Sequence, residues 1–147
     1  MLNKSFLKNK SAVFIGSTLM LDNCLKIALG KFKKISVISE DKKIYKKYKK
    51  KLNFIKINNL NNISFDYMFS VLNKKIISKK ILKNIKILKL NFHDGPLPKY
   101  AGLYSSSWAI VNKEKKHGVC WHKIEKGIDT GDIIAENKFP IKNSDTS

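Results

Sequence analysis

The sequence predicts an α/β fold: an open, mainly parallel sheet with helices between its strands, finished by an antiparallel pair at the C-terminal end. Three observations predict it. Short apolar runs alternate with helix-period segments through the first two thirds of the chain. One run, "DYMFSVL" at 66–72, is continuously apolar in the manner of a strand buried on both faces of a parallel sheet. After residue 117 the spacing shortens to strand, turn, strand, which suits an antiparallel pair. The 147 residues, 43% of them apolar, suit one domain with a modest core, and no internal repeat or linker divides them.

The elements follow in order. "SAVFIGS" (11–17) reads as a first strand ending in Gly-Ser. In "TLMLDNCLKIALG" the residues Leu21, Cys24, Leu25 and Ala28 recur at helical spacing, and Gly30 offers a C-terminal cap. "KISVISE" (34–40) alternates as a strand, and "DKKIYKKYKKK" places Ile44, Tyr45 and Tyr48 on one side of a Lys-covered helix. "NFIKI" (53–57) is expected to be a strand and "NNLNN" a loop. A short helix around "SKKILKNI" leads into the strand "KILKLNFH" (86–93). Beyond an irregular segment, "SSSWAIVN" (105–112) reads as a helix capped by Ser105 or Ser106, with Trp108 in the core. "HGVCWHKI" (117–124) and "IIAENKFPI" are strands around the turn "EKGIDTGD", and His117 is expected at a turn.

Composition narrows the function classes. The net charge is +19, all thirty basic residues are Lys, and 22 of them lie in residues 1–90 against four acids. Such a half suits nucleic acid, an anionic membrane surface or an anionic small molecule. The simpler reading is a coding sequence drifting toward A and T, with Lys filling neutral surface positions. The absence of Arg argues against specific base readout, which favours the guanidinium fork. Cys24 and Cys120 form no Cys-x-x-Cys pair, so neither a zinc site nor a disulfide framework is expected, and a reduced, cytoplasmic compartment fits. "MLNKSFLKNK" lacks the apolar stretch of a signal peptide, and no apolar run approaches the length of a membrane span.

The chemistry gathers where "LNFHDGPLP" (90–98) leaves the strand. Ligands of open parallel sheets bind beyond the carboxyl ends of the strands. Asn91 and His93 occupy such an end, and the two-residue period turns both side chains to one face. Asp129 lies in "GIDTGD", where Gly127 and Gly131 are expected to give the backbone the freedom to bring a carboxylate near a strand end. The three types supply an oxyanion donor, an acid/base and an orienting carboxylate. With no Ser or Cys nucleophile beside them, the attacking group must come with a substrate.

The order Asn-x-His, a Leu-Pro segment, Tyr-x-Gly, a helix with Trp-Ala-Ile, Gly-Val and Asp-Thr-Gly-Asp resembles the formyltransferase family that uses 10-formyltetrahydrofolate. The resemblance covers nearly the whole chain and is densest from Leu90 to Ile134. It implies a Rossmann-like formyltransferase fold and transfer of a formyl group from 10-formyltetrahydrofolate to an amine, with no metal. Asn91, His93 and Asp129 match the catalytic trio. In that family an amine attacks the formyl carbon, and Asn91 with a protonated His93 would hydrogen-bond the developing oxyanion, at about 3–4 kcal/mol per donor. Asp129 would favour the imidazolium and help move protons through a water. By position the pterin pocket falls near Leu72, Asn73 and Ile76 and near Gly127 and Ile128.

This sequence also departs from the family's pattern. "DGPLP" replaces the common Ser-Leu-Leu-Pro, and Cys120 replaces the Thr of Gly-Val-Thr, followed by Trp121 and His122. Those features look closest to formyltransferase-like domains at the front of amino-acid-activating or peptide-synthetase assemblies, where the acceptor amine could sit on a carrier protein. Cys120 and His122 share one strand face, so His122 can either reach the pocket or serve as a structural residue. Family domains continue with a helix beyond this point, and Ser144 or Asp145 in "NSDTS" would cap one. A truncated unit is therefore expected, with a frayed polar tail as the other reading of "NSDTS"; in a truncated unit a partner chain such as a synthetase covers the sheet face, or the domain is marginal, or it is a decaying remnant that retains its motif. Two other functions stay open: hydrolysis of 10-formyltetrahydrofolate by the same trio, and a silent module for docking or polyanion binding.

Overall fold

The computed structural model describes residues 4–142 and 144–146, and the chain clusters into two compact units, residues 1–89 and 90–147. Residues 1–3 of the N-terminal segment and Asn143 and Ser147 of "NSDTS" lie outside the described residues. Among the described residues, no helix is long and apolar enough to cross a membrane.

The first unit opens with a single helical turn, α1 (Lys4–Leu7), and then alternates strand and helix. Strand β1 (Ser11–Gly16) pairs in parallel with β2 (Lys34–Ile38) on one side and β4 (Phe65–Val71) on the other. Strand β3 (Asn53–Phe54) extends the sheet beyond β2, giving the order β3-β2-β1-β4. Helix α2 (Thr18–Ala28) covers it with Leu21, Leu25 and Ala28, all buried as their spacing requires. Gly30, at φ +75, takes the left-handed position just past that helix. The run 66–72 is indeed interior: Met68 and Val71 are fully buried, and Phe69 stacks on Phe14 at 4.8 Å between ring centroids.

Two polar devices fix this unit. At the start of the β1/β4 pair, Asp66 accepts from both the amide and the hydroxyl of Ser11 at 2.8 Å, and the Asp66 amide donates back to that hydroxyl. These bonds, the Ser11 amide first, hold the Asp66 carboxyl below its usual range. At the end of the pair Gly16 has φ +151, and a Cβ there would lie 2.1 Å from the Val71 carbonyl oxygen, so no other residue fits. Asp22 on α2 reaches α3 (Lys42–Tyr48), where it accepts from Lys47 Nζ and Tyr48 Oη at 2.7 Å, and Lys26 closes on it at 2.9 Å.

The expected strand over 53–57 stops after Phe54. Ile57–Asn61 winds instead into a 3-10 turn in the segment read as a loop. The Asn59 side chain accepts the Lys56 amide proton at 2.9 Å and Leu60 is fully buried, so a local side-chain bond and one apolar anchor prevail over the ladder. Helix α4 (Lys79–Lys83), capped by Ser78, then leads into β5 (Ile85–His93).

The second unit contains the last four residues of β5, helix α5 (Ser105–Val111), β6 (Lys116–Lys123) and β7 (Ile133–Pro140), in the strand order β5-β6-β7. Both pairings are antiparallel, as the short spacing predicts. Three details differ from expectation. The N-cap of α5 is Tyr104, in the left-handed region at φ 62, because the Ser105 hydroxyl donates to the Asp94 carbonyl at 2.7 Å instead of capping. The inward face of α5 is the small pair Ser105 and Ala109, which leaves Trp108 56% exposed rather than in the core. His117 belongs to β6 rather than to a turn, and it is buried with its Nε2 2.8 Å from the Asp94 carbonyl.

Asp22 gives the first unit an acid-sensitive tie. Its carboxyl is held well below the usual range, chiefly by the Lys47 hydrogen bond, while burial and the same carboxylate push the Tyr48 phenol up to about 12. A depressed carboxyl stabilises the fold above its unfolded value, and this contribution is lost as the pH falls through the folded value. Asp22→Asn is expected to lower stability by about 1–3 kcal/mol at neutral pH. Urea unfolding should show that difference shrinking in acid.

Candidate active site

Three segments of the second unit build the site: the end of β5, the facing part of β6 and the loop joining β6 to β7. Strand alternation and register do the first part of the work. Antiparallel pairing sets Asn91 opposite His122 and His93 opposite Cys120, so one sheet face presents an amide and two imidazoles. The ring centroids of His93 and His122 are 6.4 Å apart.

The loop supplies the carboxylate. Asp129 itself takes the left-handed conformation, at φ 52. The glycines beside it act through their missing side chains rather than through unusual dihedrals. A Cβ on Gly131 would stand 2.0 Å from the Lys123 carbonyl oxygen, and one on Gly127 would stand 2.6 Å from the Thr130 hydroxyl. The loop can therefore press against the end of β6, and the Asp129 carboxylate becomes a hub. Its Oδ2 accepts from the Gly102 amide at 2.9 Å and lies 3.6 Å from His93 Nδ1. Its Oδ1 lies 3.3 Å from His122 Nε2 and accepts from Asn91 Nδ2 at 3.5 Å.

Hydrogen bonds to backbone carbonyls assign the imidazole nitrogens. His93 Nε2 is 2.6 Å from the Tyr100 carbonyl and must donate to it, so Nδ1 is the nitrogen left to exchange a proton. That Nδ1 is 3.6 Å from Asp129 and 3.9 Å from Asp94 Oδ1, just beyond hydrogen-bonding distance of either. His122 is the mirror case. Its Nδ1 donates to the Lys123 carbonyl at 2.9 Å, and its Nε2 faces both Asp129 and, at 3.1 Å, Asn91 Nδ2.

Electrostatics follow from this packing. Burial alone would push the Asp129 carboxyl up, but the bonds from His122 and the Gly102 amide and the charges of His93 and His122 outweigh it and hold the group below its usual range. Burial alone would push His122 down. The Asp129 hydrogen bond, the Lys123 carbonyl and the Asp129 charge reverse that and raise it. The arrangement thus offers an amide donor, a proton-exchanging imidazole and a carboxylate fixed in its ionised form.

The structure brings together Asn91, His93 and Asp129, as the sequence predicts. It adds three groups: His122, the Gly102 amide and the Tyr100 carbonyl. His122 carried a sequence signal, its two-residue offset from Cys120, but its partner across the ladder was visible only once the register was known. Gly127 and Ile128 lie exposed in the Asp129 loop, Ile128 being 66% accessible. Leu72, Asn73 and Ile76 belong to the first unit, in the loop after β4. There Leu72 has φ 48, Asn73 holds a tight turn through bonds with Lys75, and Ile76 is exposed.

The His122–Asp129 pair has a definite pH signature. A raised imidazole contributes stability that is complete below its unfolded value and lost as the pH rises through the folded one. A depressed carboxyl contributes stability that is complete above its unfolded value and lost as the pH falls through the folded one. The pair's contribution is therefore complete between about pH 4 and about pH 6.5. Denaturant unfolding of Asp129→Asn across pH is expected to show its largest deficit in that window. Gly131→Ala is expected to displace the loop and cost about 1–3 kcal/mol, read from the same curves.

Comparison with known proteins bears on the family and the fold. The profile of the family described as "Formyl transferase" matches residues 22–147. The chain is 39% identical over 101 residues to the bifunctional polymyxin resistance protein ArnA of Wigglesworthia glossinidia brevipalpis, covering 68% of this chain and 15% of that protein. It is 31% identical over 122 residues to the methionyl-tRNA formyltransferase of Clostridium acetobutylicum, covering 83% of this chain and 39% of that one. Among solved structures, the N-formyltransferase from Helicobacter canadensis in complex with folinic acid and dTDP-3-aminofucose superimposes with a TM-score of 0.74 at 26% identity, over 90% of this chain and 53% of that one. The chain thus spans less than half the length of these curated relatives. It belongs to the formyl transferase family, and its fold is the α/β, Rossmann-like fold of that family.

Proposed function

We propose that this chain takes part in transfer of a formyl group from 10-formyltetrahydrofolate to an amine acceptor, with Asn91, His93 and Asp129 as the reacting trio. The observation that supports this reading best is the convergence of the three on one side of β5, with Asp129 within 3.6 Å of both partners. The donor set suits a carbonyl substrate. Asn91 is a half-buried amide donor, and His93 Nδ1 is committed to no carbonyl. The exposed Ile128 beside Gly127 offers apolar surface for a flat ring. The folate supplies an activated formyl carbon.

Asn91 Nδ2 and the Nδ1–H of protonated His93 donate to the formyl oxygen as negative charge grows on it. Asp129, ionised and braced by Gly102, balances the imidazolium and holds a water through which the attacking amine's proton leaves. As the new carbon–nitrogen bond forms and the bond to the folate nitrogen breaks, that proton passes to the leaving nitrogen. The acceptor chemistries named for the relatives, a methionyl-tRNA and a dTDP-amino sugar, define the amines to try first.

The test is folate release from 10-formyltetrahydrofolate, followed spectrophotometrically with and without an amine panel. Asn91→Ala and Asp129→Asn are each expected to lower kcat/KM about 10²- to 10³-fold. Wild-type turnover that both variants leave unchanged sinks the assignment. Turnover independent of any amine identifies hydrolysis as the reaction.

A further inference from the structure

We propose that His122 is a positioning residue whose Nε2 proton decides whether the Asn91 amide is tied up or free for a substrate oxygen. The inference rests on the formyl-transfer reading only for its consequence on rate; its structural content stands on the geometry alone.

The Lys123 carbonyl can only accept, so the 2.9 Å contact keeps a proton on His122 Nδ1 in every state. Nε2 is then the titrating nitrogen, and it has two neighbours with opposite demands. Asp129 Oδ1, at 3.3 Å, can only accept; Asn91 Nδ2, at 3.1 Å, can only donate. The amide cannot be turned over to escape the conflict, because that would set its oxygen 3.5 Å from the carboxylate to which its nitrogen now donates.

Nε2 therefore serves one neighbour at a time. Without its proton its one lone pair accepts from Asn91, and it donates nothing to Asp129. With its proton it donates to Asp129 and has no lone pair for Asn91, so the N–H that faced it is then available to a developing oxyanion while the other stays on Asp129. The remaining groups around the ring leave this exchange local. His93 faces it from β5 at 6.4 Å, and Asp129 faces it from the loop. Ile133, uncharged, is its register partner on β7. On its own strand, Lys123 extends its ammonium to Asp132 at 2.7 Å, and burial pushes the Cys120 thiol up so that it stays neutral. His122 is 2% exposed, so bulk water does not substitute for either partner.

Side-chain NMR of the full chain, labelled with ¹⁵N in His and Asn, reads the exchange without any ligand. His122 is assigned by its loss in His122→Gln and Asn91 by its loss in Asn91→Asp. The Asn91 amide resonances are expected to shift with the same midpoint as His122 Nε2, and that shift is expected to vanish in His122→Gln. Asp129→Asn should lower the midpoint. An Asn91 amide that stays still while His122 titrates, or a His122 that loses its proton from Nδ1, overturns the proposal. In the rate assay, wild-type turnover should fall about tenfold per pH unit above that midpoint, and His122→Gln should lack this limb. Absence of turnover in the wild type with every amine defeats the formyl-transfer reading, whereas the coupled NMR shifts decide the proton exchange independently of it.

Discussion

The carboxylate of Asp129 is the constraint on which the site depends. Each of its oxygens is shared between two neighbours, so one side chain sets the position of an amide, two imidazoles and a backbone N–H. Burial would ordinarily drive such a carboxyl toward its neutral form. The donors around it reverse that tendency, and the ionised group then acts as a fixed local charge in a poorly solvated place, where charge has the greatest effect.

Delivering that charge requires two unlike kinds of backbone. The sheet contributes repetition: alternation along β5 and β6 and one antiparallel register bring Asn91 opposite His122 and place His93 two residues on. A slip of one residue would turn all three away together. The loop contributes exception. Close contact of Gly131 with β6 and a left-handed residue at 129 bring a carboxylate to a place no regular element would reach. The irregular segment after His93 is tied back in the same spirit. Gly95 packs where a Cβ would meet Ser105 and Tyr100, and the Tyr100 carbonyl and Gly102 amide face the site as a backbone acceptor and donor.

Most of the fold was legible because periodicity reports burial directly: the run at 66–72 and the Leu21, Leu25 and Ala28 stripe lie where their patterns put them. Patterns failed where a local hydrogen bond overrode them, as with Asn59 ending the strand expected over 53–57, or where a short helix had too little length to define its face, as with Trp108. Within the candidate site, residue type and spacing singled out Asn91, His93 and Asp129, which the structure holds close together. The surroundings of His122 were not legible, since a lone strand histidine carries no mark of what stands across the ladder. Nor could any pattern show which nitrogen of each imidazole is committed to a carbonyl.

The conformation of Asp129 carries one more implication. A left-handed backbone is costly for most residues, easiest for glycine and tolerated by asparagine and aspartate, so Asp129 keeps the turn at a small cost that glycine would not carry. Selection for stability alone would drift this position toward glycine, and the loop would relax while its charge disappeared. Of glycine, asparagine and aspartate, which tolerate this turn best, only aspartate also brings a carboxylate to the Gly102 amide and the two imidazoles.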